Sequence, residues 1–253
     1  MIADAYFNAF HIHDPAGNVA LSRFEGLGTP PPRDDRPDRA RRHGAIELTT
    51  YYHPRVWDIE GYVKGTSPSD AWDVFDNLKE QLALSGLTHY LKFKRLGRSF
   101  FERANVSAAS EVTPTLRMVG NVIPWGVTLV SADPRIYVDT PQTLSFASAG
   151  TATNTGNFST PPTITFHGGG TNPGIHNAAL SAENDIVCDY VMVGGDEIVV
   201  DVGTRNVTLN GVSRPDIIDM AQTDFWSLTK GANALSKLGG AVSIDVDWRS
   251  ARI

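Results

Sequence analysis

Ala45-Ile-Glu-Leu-Thr-Thr-Tyr-Tyr-His53, Pro54-Arg55, Val56-Trp-Asp-Ile-Glu-Gly-Tyr-Val63, Gly65-Thr-Ser-Pro68 and His89-Tyr-Leu-Lys-Phe-Lys94 are the segments on which the reading of the fold turns. The first is rich in β-branched and aromatic residues and is broken by Pro54-Arg55. The second alternates, with Val56, Asp58, Glu60 and Tyr62 on one face and Trp57, Ile59, Gly61 and Val63 on the other, as a half-buried strand does. Ser67 is a natural N-cap, Pro68 suits the first helical position, and Asp70 stands three residues after the cap. Ala71, Val74, Phe75, Leu78 and Leu82 then recur at helical spacing, and Gly86 offers a left-handed stop. The whole predicts strand, turn, strand, helix from Pro68 to about Leu84, strand.

The chain has 253 residues, enough for one large or two modest domains. Hydrophobic residues make up 41% and charged residues 20%, which is globular composition. A net charge of −6 argues against non-specific nucleic-acid binding. The one cysteine, Cys188, forms no internal disulfide and no cysteine-based zinc site. No apolar run approaches a membrane span, and the N-terminus lacks a basic region followed by an apolar one. The expectation is synthesis in a cytoplasm, with the chain left there or exported by a route that needs no signal peptide, and no membrane insertion.

Before the opening unit, Ala3 to His13, a turn at Asp14-Pro-Ala-Gly17 and Asn18-Val-Ala-Leu21 read as one β-hairpin. Thr29-Pro-Pro-Pro32 and the charged run Arg33 to Arg42 cannot bury themselves. They form a surface loop or an arm that orders against a neighbouring subunit. After the unit come Ser99 to Ser107, the short Leu116 to Gly120, a strand over Ile123 to Ala132 ended by Asp133-Pro134, and Tyr137-Val138.

Composition shifts near residue 140. Ala147 to Pro162 holds little that reads as core. Strands are expected at Thr143 to Phe146, Thr163 to Phe166, Ile186 to Val193, Glu197 to Val202, Asn206 to Leu209 and Ala241 to Trp248, with turns at Gly194-Gly195 and Asn210-Gly211. In the last strand Val242, Ile244, Val246 and Trp248 alternate with Ser243, Asp245 and Asp247, one face buried and one wet. No segment after residue 140 has helical periodicity, so this half is an antiparallel sandwich or barrel.

Few residues stand in patterns that carry chemistry. His11-x-His13 places two imidazoles on one strand face, but no third ligand stands at a telling spacing. His43, His53 and His89 are scattered, and His176 sits in a turn beside Asn177. His167-Gly-Gly-Gly170 is followed by Thr171-Asn-Pro-Gly174, more turn rather than the helix a phosphate loop requires, and reads as a flexible connection. Carboxylate pairs at Asp58/Glu60, Asp185/Asp189, Asp196/Glu197 and Asp245/Asp247 are routine on solvated strands. Trp57, Trp72, Trp125, Trp226 and Trp248 lie in strand or helix patterns and read as core or interface. No cofactor, no metal and no catalytic residue is expected.

Strand Val56 to Val63 followed by Gly65-Thr-Ser-Pro-Ser-Asp70 and a helix resembles the first half of siphophage distal tail proteins. Trp125 to Pro134 with Ala132-Asp-Pro-Arg135 looks like that family's exit from its ring domain, and Asn157-Phe-Ser-Thr-Pro-Pro-Thr-Ile-Thr-Phe166 like its lead into the second domain. Glu197 to Asp201, Val207 to Gly211 and Phe225-Trp-Ser-Leu-x-x-Gly-x-Asn233 are similar to its series of strand, hairpin and aromatic–Leu–Gly–Asn turn. Two places depart from it: the Pro/Arg stretch 29–42 has no match, and 168–177 is glycine-richer.

The resemblance implies a mainly β fold: an α+β ring-forming domain with one main helix over residues 1–139, completed by the C-terminal strand 241–253, and an all-β galectin-like sandwich over 140–240. It implies a structural virion protein, not an enzyme, at the distal end of a long non-contractile tail. Family members form rings, usually hexamers, that join the tail tube protein to a tail-tip or tail-associated protein and dock receptor-binding or tail-fibre proteins. Localisation would be the phage tail tip after synthesis in the host cytoplasm. Arg39, Arg41 and Arg42 are the expected subunit-interface residues. The alternative function is a carbohydrate-binding module that contacts a host surface glycan; a glycan-active enzyme is a third.

Overall fold

The computed structural model describes residues 1–14, 17–33, 51–84, 89–115, 118–180 and 184–253. It divides into two compact units, residues 1–139 with Ile253, and residues 140–252. The fold is mainly β, and the helix Pro68–Leu82 is the only α-helix among the described residues.

In the first unit Arg55–Lys64 and Val122–Ser131 pair antiparallel along their full length, Lys64 opposite Val122 and Arg55 opposite Ser131. Val19–Phe24 flanks the first of these strands and Thr113–Pro114 the second. The alternation read from the sequence is present: Arg55, Trp57, Ile59, Gly61 and Val63 are buried, and Val56, Asp58, Glu60 and Tyr62 face outward. Gly61 is required by packing. A Cβ there would stand 2.4 Å from the Ala20 carbonyl and 2.7 Å from the Trp125 ring. Of the expected strand 45–53 only Tyr51–Tyr52 is a described strand; residues 45–50 lie outside the described residues.

The helix begins as its sequence dictates. Ser67 Oγ accepts a hydrogen bond from the Asp70 amide at 3.2 Å, and the Asp70 carboxylate accepts from the Thr66 amide and hydroxyl at 2.5 and 2.8 Å. These bonds, the Thr66 amide first, hold the Asp70 carboxyl below its usual range. Ala71, Phe75, Leu78 and Leu82 are buried and Val74 is half-buried. The expected stop at Gly86 lies outside the described residues; the helix ends at Leu82, with Ala83 extended.

The unit's other sheet runs Phe10–His13, Ile2–Phe7, His89–Arg95, Glu102–Val106, Ile136–Val138, all antiparallel. This corrects the single N-terminal hairpin. Ala3 to His13 is itself a hairpin that turns at Asn8, and Val19–Phe24 belongs to the other sheet. Asn8 adopts φ 54°, its side chain accepts from the Tyr90 amide at 3.0 Å, and its own amide donates to the Tyr90 carbonyl at 2.9 Å. The turn is thus fixed by a strand some eighty residues away. The inner faces of both sheets and the helix share one apolar core, in which Trp57, Phe93 and Phe24 lie with ring centroids 5.2–5.7 Å apart. Buried Glu102 is paired with both Arg95 guanidinium arms, which offsets its desolvation.

The second unit is a sandwich of two antiparallel sheets around its own core. One sheet has the order Gln142–Phe146, Ser243–Trp248, Thr163–His167, Glu197–Asp201, Asn206–Leu209, Val212–Ser213. The other has the order Ala149–Asn154, Gly231–Leu238, Gly174–Asn177, Asp185–Val187. Asn210 and Gly211 both take positive φ, 50° and 79°, at the tight turn expected there.

Four expectations are corrected here. Of the segment 241–253 expected to complete the first unit, Ser243–Trp248 instead lies between two strands of the second, with Asp245 opposite both Ser145 and Thr165, whereas Ile253 groups with the first. Val242 precedes that strand and is 61% exposed instead of buried. Residues 149–154, whose composition offers little core, pair with Gly231–Leu238 and bury Ala152 and Asn154. The run 186–193 is two strands, Asp185–Val187 and Val191–Met192, because the chain breaks away at Cys188, whose amide donates to Pro173 and which bridges Ile218. Cys188 is fully buried, and burial pushes its thiol up to about 12.

Candidate assembly surfaces

Three of the features read from the sequence become surfaces or anchor points. The first is the root of the Pro/Arg stretch. Pro32 and Arg33 pair with Tyr52 and Tyr51, and the His53 amide donates to the Pro31 carbonyl at 3.1 Å. Arg33 and Tyr51, the described residues that flank 34–50, therefore lie side by side. Arg39, Arg41 and Arg42 lie between these points, outside the described residues, as does His43.

Beside this neck sits Arg55, a residue that sequence reading did not single out. It is 1% exposed. Its Nε donates to the Pro134 carbonyl at 2.7 Å, and its Nη1 to the carbonyls of Gly26, at 2.6 Å, and Gly28. The guanidinium carbon stands 5.4 Å from the centroid of Trp57. Arg55 thus fastens the chain leading into the neck to the strand and to the Asp133-Pro134 corner. Desolvation pulls its pKa down to about 10, opposed by the charge of Asp133, so it is still a cation at neutral pH. Residues 29–31 and 53–56, with Gly26 and Gly28, line an open cleft of about 580 Å³ here.

The second surface is the outward side of the Arg55–Lys64 and Val122–Ser131 pair. Asp58 accepts from the Thr128 hydroxyl at 2.9 Å, and Arg23 bridges Glu25 and Glu60 at 2.8 and 2.9 Å. Val56 and Tyr62 are 47% and 41% exposed on the same side. Asp58 and Glu60, a candidate carboxylate pair, are thus each engaged by a neighbouring strand. Val19–Phe24 is the outer strand of this sheet, with one backbone edge turned away from its partner.

The third surface is the outward side of the larger sheet in the second unit. Its strands present Thr163, Thr165, Thr208, Glu197, Asp201, Asp245 and Asp247. His167 stands among them, 2.9 Å from Asp245 and 3.7 Å from Glu197. The Asp245 carboxyl is held low, first by a hydrogen bond from Ser145 and then by His167. None of the outward residues on these strands is Phe, Tyr or Trp.

The remaining candidates fall into structural roles. His11 bonds Asp4 at 2.6 Å and stacks on Tyr6, while His13 Nδ1 accepts from the Leu21 amide. His176 bonds Asp185 at 2.6 Å. His89 meets the Asn8 side chain, and His53 lines the cleft beside Arg55. No group of three or more metal-ligating side chains occurs among the described residues. Trp57, Trp125, Trp226 and Trp248 are buried, and Trp72 is 44% exposed on the helix.

The aromatic–Leu–Gly–Asn turn is built around Asn233, which is fully buried. Its side-chain oxygen accepts from the Thr229 amide and hydroxyl at 3.0 and 3.1 Å, and its amide group donates to the Thr229 and Gly231 carbonyls at 2.9 and 3.1 Å. Trp226 and Leu228 on the same turn enter the core. Asn233→Ala strips these partners at once and is expected to destabilise the second unit by about 2 kcal/mol. A urea titration followed by near-ultraviolet circular dichroism checks it; an unchanged midpoint would mean the turn holds itself.

Residues 155–251 match the family model described as the siphovirus-type tail component, C-terminal domain. No curated protein matches the sequence significantly. Among solved structures, the crystal structure of SPP1 Dit (gp 19.1) is described as a paradigm of the hub adsorption apparatus in phages infecting Gram-positive hosts. It shares the fold with a TM-score of 0.74 at 13% identity, covering 99% of both chains. A chain of the phage p2 baseplate, in its activated conformation with Sr, matches with a TM-score of 0.57 at 10% identity over 96% of this chain and 97% of that one. A chain of the Phage P2 baseplate with Ca matches with a TM-score of 0.51 at 8% identity over 98% of each. The chain therefore resembles siphophage distal tail proteins in fold over its full length and in sequence over residues 155–251.

Proposed function

We propose that this chain is a structural virion protein of the phage tail tip, the distal hub of a long non-contractile tail. The observation that carries the proposal is the agreement of fold with SPP1 Dit over 99% of both chains, joined to the family match over 155–251. Copies assemble into a closed ring of about six subunits. The ring joins the tail tube to the tail-tip proteins and supports the docking of receptor-binding or tail-fibre proteins. The first unit forms the ring. Its long paired strands give a stiff wall. Arg39, Arg41 and Arg42 meet the adjacent subunit, a role supported by the pairing of Arg33 with Tyr51, which places the two described residues flanking 34–50 side by side. The proposed role is one of assembly, and no reaction is assigned to the chain.

The purified protein is expected to have a mass of about six times the 27.4 kDa chain by light scattering, and to show rings with a central hole by electron microscopy. A strict monomer at high concentration would remove the ring from the proposal.

A further inference from the structure

Asn210-Gly211 is the one Asn-Gly step in the chain. It forms the two-residue turn between Asn206–Leu209 and Val212–Ser213, with Leu209 opposite Val212 and both turn residues at positive φ, 50° and 79°. In such a step the glycine amide nitrogen can attack the asparagine side-chain carbon, because glycine has no Cβ to hinder close approach. Both residues are exposed, and nothing lies within 4 Å of where a Cβ would stand on Gly211. Room therefore exists for the ring this attack forms and for the water that opens it.

The Asn210 side chain is nevertheless tied at both ends. Its Oδ1 accepts a hydrogen bond from the Glu197 amide at 2.9 Å, and its Nδ2 donates to the Asp196 carboxylate at 3.0 Å. The partners settle which end is which, since a main-chain N–H requires the oxygen and a carboxylate requires the N–H. The Asn210 amide also donates to the Glu197 carbonyl at 2.8 Å. Asp196 is anchored in turn: its other oxygen accepts from the Val193 amide at 2.9 Å. These bonds, the one from Asn210 first, hold its carboxyl below the usual range. For the Gly211 nitrogen to close a ring on Cγ, the turn must change its dihedrals and both side-chain bonds must break.

We infer that Asn210 is a site of spontaneous deamidation, kept closed by Asp196 and the Glu197 amide and opened by local fraying of this hairpin. The Gly211 nitrogen bonds to Asn210 Cγ, the Cγ–Nδ2 bond breaks, and Nδ2 leaves as ammonia with the Gly211 amide proton. Water then opens the cyclic imide to aspartate or isoaspartate. Water is consumed, ammonia is released, and nothing is oxidised or reduced. The product sets a carboxylate where an amide had donated to Asp196, so two like charges face each other across the hairpin. Asp196 loses its bond from residue 210, and the corner at 193–197 stays loosened. The inference concerns one hairpin of the second unit and does not depend on the ring reading.

The test incubates the full-length chain and a synthetic peptide of residues 206–214 side by side at mildly alkaline pH, and follows deamidation at Asn210 by peptide mass spectrometry. The folded chain is expected to react at least about tenfold more slowly than the peptide. A hydrogen bond to a charged group is worth a factor of about ten or more, so Asp196→Ala should speed the reaction at Asn210 about tenfold. The fully buried Asn233 should be unchanged in the same digest. Asn210→Asp, which reproduces the product, should raise hydrogen exchange at the Val193 amide about threefold. A folded chain that reacts at the peptide's rate would overturn the inference, as would an Asp196→Ala variant no faster than the wild type. Parallel acceleration at Asn233 would overturn the local lock, because protection would then come from the folding of the whole unit. An unchanged Val193 amide in Asn210→Asp would overturn the loosening of the corner.

Discussion

Phe75→Asp is expected to unfold the first unit. Phe75 is 2% exposed, sits edge-on to Trp72 at 5.8 Å between centroids, and belongs to the core shared by both sheets and the helix. Losing a buried phenyl ring costs about 3–5 kcal/mol. Leaving a carboxylate without a partner in its place adds several more, or forces the group to stay protonated. A domain's whole stability is about 5–15 kcal/mol, so the helix face cannot absorb both losses. Trp57 and Trp125 are fully buried in this unit, and their emission should move to longer wavelength in the variant at neutral pH, with loss of near-ultraviolet circular dichroism. Phe75→Leu removes volume but introduces no charge. It should cost about 1–2 kcal/mol and stay folded. If Phe75→Asp melted like the wild type, the helix would be packing through some other face.

The helix was legible for a local reason. Its cap, its proline and its apolar spacing all lie within sixteen residues, and each acts on backbone close by. The alternating strand at 55–64 was legible for the same reason, since strand periodicity is carried by adjacent residues. What could not be read depends on partners far along the chain. Asn8 turns the N-terminal hairpin because its side chain finds the Tyr90 amide. Residues 149–154 form a strand because Gly231–Leu238 lies beside them; their small side chains carry no period of their own. Val242 fitted the alternation of the last strand, yet its amide already serves the His167 carbonyl at the strand's edge, and the side chain is left outside.

The candidate surfaces show the same division. The Pro/Arg stretch announced itself by composition, but the contacts of Arg39, Arg41 and Arg42 are not set by composition. Arg55 passed unnoticed because an arginine at a strand start ordinarily points to water. Nothing near it in the chain signals that carbonyls from Gly26, Gly28 and Pro134 converge on one guanidinium. The family resemblance reached further than local patterning because the order of many weak motifs carries information about the whole fold. It still grouped all of 241–253 with the first unit, whereas 243–248 pairs within the second and Ile253 groups with the first.

The glycine run at 168–170 carries the other large effect, and it reverses the expectation of a flexible connection. Gly170 pairs with Met192, and the Gly240 amide donates to the Thr171 carbonyl at 3.0 Å, so backbone packs directly on backbone. Gly170 has φ 148°, and a Cβ there would stand 1.5 Å from the Gly240 carbonyl oxygen. The obstacle is main chain held by strands on both sides, so it cannot swing away as a flexible side chain would. Gly170→Ala is therefore expected to cost the second unit about 3 kcal/mol or more, from backbone strain and forced separation together. Gly194→Ala is the matched control: nothing lies within 4 Å of its Cβ, and the change should stay within about 0.5 kcal/mol. Cys188 provides a readout confined to this unit. Its thiol is buried and its pKa is raised, so labelling by a thiol reagent requires the unit to open. At 1.4 kcal/mol per tenfold change, Gly170→Ala should label about a hundredfold faster than the wild type when opening is in rapid equilibrium. Equal rates for Gly170→Ala and Gly194→Ala would show that the 168–171 and 239–240 backbones give way, and that the run is the flexible connection its composition suggested.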